Sequence, residues 1–123
     1  MAITYTALGP STKLTHIMKR NDTLPSLGAT FQDSSGVALN LTTASGVTFT
    51  MKQIEGDTLQ VSSATATVNQ ASKGQVHYEF TSANTNTAGT YLAEFEITYN
   101  DGGKLTVPTQ GAISVVILED YNG

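Results

Sequence analysis

The sequence predicts an all-β fold, an immunoglobulin-like antiparallel β-sandwich of about 7–9 strands preceded by an N-terminal arm. Three observations carry this. Apolar residues recur with period two almost everywhere, and no helical stripe interrupts them. Turn-forming residues separate these runs at intervals of roughly 8–12 residues. The composition suits a pleated sheet, with 20 Thr and 10 Ser among 123 residues. At 13% charged residues the chain also lacks the charge that marks disorder.

The same composition excludes whole classes of function. With no cysteine there is no disulfide scaffold, no thiolate metal site and no thiol nucleophile. No apolar run reaches the roughly 18 residues that a membrane-spanning helix needs. A net charge of −4, with 6 basic residues scattered along the chain, does not make the basic patch that nucleic acid requires. Met1 to Pro10 shows no basic stretch followed by an apolar run, so no signal peptide is expected.

In chain order, residues 1–13 are expected to form an arm or an added edge strand. Alternation there is weak, at Ile3, Tyr5 and Ala7, and ends at Gly9-Pro10. Ile3, Tyr5 and Leu8 are its candidate assembly residues, and a neighbouring subunit is the expected holder of such an arm. Residues 14–119 form the sandwich and residues 120–123 a tail. Leu14 to Arg20 is its first strand. Leu27, Ala29 and Phe31 alternate after Pro25, and Val47, Phe49 and Met51 alternate with Thr48, Thr50 and Lys52. Leu59 and Val61 set one phase while Ala64, Ala66 and Val68 set the opposite one, so a bulge or tight turn is expected near Ser62 and Ser63.

Val76, Tyr78 and Phe80 point inward against Gln75, His77 and Glu79. The clearest strand is Thr90 to Tyr99, with Tyr91, Ala93, Phe95, Ile97 and Tyr99 on one face and Glu94, Glu96 and Thr98 on the wet face. Asn100-Asp101-Gly102-Gly103 then tolerates the positive φ of a hairpin turn, pairing that strand with Leu105 to Val107, which Pro108 ends. Ile113 to Leu118 is apolar on both faces, so it is central or covered, with the arm one candidate cover. Thr81 to Ala88 is polar and leads into Tyr91, which stands where a tyrosine corner would close an immunoglobulin-like sandwich. Ala93 takes the place of the second cysteine and Phe49 that of the core tryptophan, with Phe95 and Tyr78 beside it in the core.

Candidate chemistry is sparse. His16 and His77 lie far apart, and zinc needs three or four ligands. His77 shares a strand face with Glu79, and a surface pair accounts for it; His16 falls with Leu14 and Met18 as a partly buried strand residue. Glu94 and Glu96 are neighbours on a wet face, with no pocket for glycosidic chemistry; that face is also a candidate assembly surface. Asp57 and Asp101 sit in turns. No dense calcium loop, phosphate-binding glycine loop or nucleophile elbow appears. Asn21-Asp22-Thr23 and Asn40-Leu41-Thr42 match the glycosylation pattern, which arises by chance in a Thr-rich chain. No catalytic residue, cofactor or metal is expected.

One family resemblance emerges. Asn21-Asp22-Thr23-Leu24-Pro25, Leu27 to Asp33, Gly36 to Leu41 and Val47 to Lys52 resemble the start of the phage baseplate upper protein N-terminal domain. Ala66 to Gln70, Lys73 to Tyr78, Ala88 to Phe95, Tyr99 to Gly102 and Val107 to Val115 are similar to the same family. The resemblance spans about residues 22 to 117 and rests on core and turn positions. It implies an immunoglobulin-like, non-enzymatic domain of a virion that anchors a tail or baseplate protein. The family's domain usually precedes further modules, and none follows Gly123 here, so a stand-alone adaptor or fibre-attachment piece is expected. Its partners would be other virion proteins, as a homo-oligomer or in many copies within a symmetric assembly. Capsid decoration is one alternative. A module binding a host-surface glycan or protein is another, with Tyr5, Tyr121 and Tyr78 as candidate contact aromatics.

Overall fold

A computed structural model describes residues 2–8 (backbone only), 14–56, 58–109 and 112–121. Ten strands are named: β1 Ala2–Leu8, β2 Leu14–Lys19, β3 Ser26–Phe31, β4 Ala44–Gln53, β5 Leu59–Thr65, β6 Thr67–Gln70, β7 Gln75–Tyr78, β8 Gly89–Tyr99, β9 Lys104–Val107 and β10 Ile113–Leu118. A short 3-10 turn, Ala71–Lys73, precedes β7. The strands form two sheets, one ordered β1-β3-β7-β6 and the other β2-β10-β8-β4-β5, with β9 also on β8. The all-β immunoglobulin-like sandwich is therefore the observed fold. The strand number exceeds seven to nine because the arm forms a strand and because Ala66 alone separates β5 from β6 as the chain crosses between sheets.

Alternation builds the core as expected. Val47, Phe49 and Met51 of β4 and Tyr91, Ala93, Phe95 and Ile97 of β8 are buried, facing Leu27, Ala29 and Phe31 of β3 and Val76 and Tyr78 of β7. Fully burying each large apolar side chain contributes about 1.5–3 kcal/mol relative to exposure. Phe49 lies in the middle of the aromatic cluster. Its ring stacks on Tyr78 with centroids 4.3 Å apart and meets Phe95 edge-on at 5.1 Å, geometries that add to simple burial.

The phase switch in β5 is a bulge. Phe49 pairs with Ala64 and Met51 with Val61, so β5 spends one more residue than β4 over that interval. Ser63 takes φ 49° there, and its amide is held by the Thr50 hydroxyl at 3.1 Å. The hairpin after β8 closes as predicted, with Tyr99 N donating to Gly103 O at 2.8 Å. β9 and β10 share one flank of β8. Pairing passes from Phe95–Val107 to Ala93–Ile113, with the buried Pro108 ending β9.

Two expectations are corrected. The arm does not cover β10: β10 is central because β2 pairs with it in parallel and β8 antiparallel. β1 instead joins the opposite sheet, parallel to this chain's own β3, in the register Ile3–Leu27 and Tyr5–Ala29. His16 is also fully rather than partly buried, because β2 points it inward between the sheets.

Candidate docking surfaces

Open sheet edges are the first feature available to a partner, since each carries unpaired N–H and C=O groups. Among the described residues, β1, β2, β5, β6 and β9 each pair with a single neighbour. Three of them are poor templates. β5 is bent by its bulge, while β6 and β9 have four residues each. β2 is the longest regular edge, and β1 is regular from Ala2 to Tyr5 before its register shifts ahead of Leu8. Ile3, Tyr5 and Leu8, the residues expected to serve assembly, lie on β1 at register positions opposite Leu27, Ala29 and Phe31; their side chains are outside the described part of the structure.

A second feature is a depression of about 480 Å³ on the outer face of the four-stranded sheet. Gly28 of β3 pairs directly with His77 of β7. Leu24, Asn69, Gln75, His77 and Glu79 line it. His77 Nε2 lies 3.1 Å from Glu79 Oε1 and Nδ1 lies 2.8 Å from Asn69 Oδ1. The imidazole is thus held between two strands. A His–carboxylate pair orients a base, but no third titratable or metal-ligating group joins it: among the described residues no cluster of three or more His, Cys, Asp or Glu forms. Glu94 and Glu96 stand on the wet face of β8, where Lys104 meets Glu96 at 3.8 Å.

The remaining singled-out residues are structural in their contacts. Tyr91 is buried and its hydroxyl donates to the carbonyl of Thr87 at 2.6 Å. Tyr78 is buried too, so it is not a surface aromatic; its hydroxyl donates to Asn84 Oδ1 at 2.8 Å. Burial pushes both phenols above their ordinary range. Tyr121, by contrast, is 96% exposed, with the Lys19 ammonium 4.1 Å from its ring centre. His16 Nε2–H donates to Pro25 O at 3.0 Å and its ring stacks on Phe80 at 5.7 Å. Desolvation lowers its pKa, with the Pro25 bond opposing, so the ring is neutral at neutral pH.

Sequence reasoning missed one tie. Thr85, in a segment that looks like plain polar loop, is fully buried. Its hydroxyl donates to Asp22 O at 2.8 Å and its carbonyl accepts from Asn21 N at 2.9 Å, fastening the loop before β8 to the β2–β3 connection. Asn84 was the available signal, since Asn side chains cap turns; its Oδ1 also accepts from Thr81 N at 2.9 Å.

No protein-family model matches the chain, and no curated protein matches it. Among solved structures it is similar to the N-terminal domain of phage TP901-1 ORF48, with a TM-score of 0.62 and 15% sequence identity. The likeness covers 95% of this chain and 96% of that one, so it extends over the whole fold.

Proposed function

We propose that this chain is a non-enzymatic structural protein of a bacteriophage particle. In this reading it is an immunoglobulin-like module that docks in the tail or baseplate through β-edge and arm contacts. The observation that carries the reading is the end-to-end likeness to a phage protein domain. It agrees with the resemblance of the β3–β4 and β6–β10 segments to the phage baseplate upper protein family. The edges suit the role: β1 and β2 offer backbone partners for strand addition, and several copies in a symmetric assembly would add avidity. Tyr91, Phe49, Phe95 and Tyr78 hold the sandwich rigid, with Tyr91 as its tyrosine corner. Ile3, Tyr5 and Leu8 are the arm contacts that set the docking register.

Antibody labelling of intact particles tests this. Label at the tail tip or baseplate is expected. Label over the head would favour capsid decoration, and particles that assemble without the chain but fail to adsorb would favour a host-binding module. Absence from the particle altogether would overturn the virion reading.

A further inference from the structure

The outer face of the six-stranded sheet is divided into two halves. At one end the register sets Val116 beside Ile17 and Leu118 beside Lys19. Leu92 lies between Ser114 and Lys52. Ile17 is 55% exposed and Leu118 44%, while Leu92 and Val116 are half-buried. A single exposed apolar side chain needs no explanation. Here apolar side chains run across the sheet from β2 through β10 to β8, and the aliphatic stem of Lys52 extends the stripe onto β4. A patch of this kind marks an interaction surface. Towards the other end the face turns polar, through Glu94, Glu96, Thr48 and Thr106.

The charges on this face indicate what covers it. The chain carries a net −4, so two copies repel each other over most of their surface. On this face Lys19, Lys52 and Lys104 offset Glu94 and Glu96. Lys104 already pairs with Glu96, and Lys19 rests on Tyr121. Lys52 and Glu94 are both exposed and form no ion pair among the described residues. They flank Leu92 as diagonal neighbours on adjacent strands, since Lys52 pairs with Leu92 and Thr50 with Glu94. A two-fold axis lying in the plane of contact and passing between them brings Lys52 of each copy to Glu94 of the other, with the two apolar patches overlapping. A different protein would need the mirrored charge pair at the same spacing; a second copy carries it by symmetry.

We infer that the outer face of the six-stranded sheet docks a second copy of this chain, with the apolar patch at the centre and two reciprocal Lys52–Glu94 pairs at the rim. This does not rest on the virion reading and does not use the arm. The test is sedimentation velocity of the full chain over a wide concentration range, with circular dichroism to confirm that each variant is folded. A reversible dimer is expected. Ile17→Lys and Leu118→Lys, both at exposed positions, should each weaken it about tenfold or more. Lys52→Glu or Glu94→Lys alone should weaken it about three- to tenfold, and the double swap should restore it. A monomer at every concentration, a dimer indifferent to these changes, or a double swap no better than the single reversals would overturn the inference.

Discussion

The hydroxyl of Tyr91 reaches back four residues to the carbonyl of Thr87 with a 2.6 Å hydrogen bond. The bond pins the polar loop 81–88 onto the start of β8, the strand that pairs with β4, β9 and β10. Tyr91→Phe keeps the buried ring and removes this bond together with the hydroxyl's hydrogen bond to the Gln53 side chain. The expected loss is about 1–2 kcal/mol, the net worth of one or two such bonds. In urea unfolding the midpoint should fall with an unchanged slope.

Gly74 is a sharper constraint. It follows the 3-10 turn with φ 66°, and a Cβ placed on it would stand 2.8 Å from the backbone oxygens of both Leu39 and Phe31. Its own carbonyl accepts from Phe31 N at 2.8 Å, so neither side can give way without breaking the ladder. Gly74→Ala should cost more than the roughly 1–2 kcal/mol typical of a left-handed alanine, because backbone overlap is added. Gly102→Ala is the control, with φ 92° and open space around its Cβ; it should lower the melting temperature distinctly less.

Ser63 predicts the opposite sign. It holds φ 49° in the β5 bulge, a conformation that glycine adopts without a Cβ penalty. Its amide bond to Thr50 Oγ1 is retained when the side chain is removed. Ser63→Gly should leave stability unchanged or raise it by up to about 1 kcal/mol, and thermal unfolding measures the change. A clear loss would mean that the hydroxyl contributes more than the strain costs.

Buried His16 sets a pH dependence. Its folded pKa lies below the ordinary value of 6.5, so the unfolded chain takes up the proton first as pH falls. This contribution to stability is complete above about pH 6.5 and declines below it, until the folded-state ring also protonates. The slope from one such proton is at most about 1.4 kcal/mol per pH unit. Denaturant unfolding between pH 8 and 5 should show this decline in the native chain, and His16→Gln should flatten it.

The fold was legible where local chemistry decides it. The Asn100–Gly103 turn closes as its residues dictate, with Asp101 Oδ1 accepting from the amide of Gly103. The β8 alternation and the Ser62-Ser63 phase switch likewise needed no tertiary information. The arm's place in the sandwich was not legible. A short strand with weak alternation can pair with any open edge, and its parallel place beside β3 depends on the chain's path through both sheets. Thr85 failed for a related reason. A polar side chain is buried only when distant groups satisfy it, and Asp22 does so here. The proximity of Lys52 to Glu94 was hidden because cross-strand register, not sequence spacing, makes them diagonal neighbours.

The most direct test of the central claim is the quantity of this chain in phage particles released by the source culture, measured peptide by peptide across a density gradient. The account predicts that it co-sediments with intact tailed particles, at a fixed ratio to the other virion proteins that survives repeated banding. Recovery only in the soluble fraction, with banded particles free of it, would contradict a structural role in the virion.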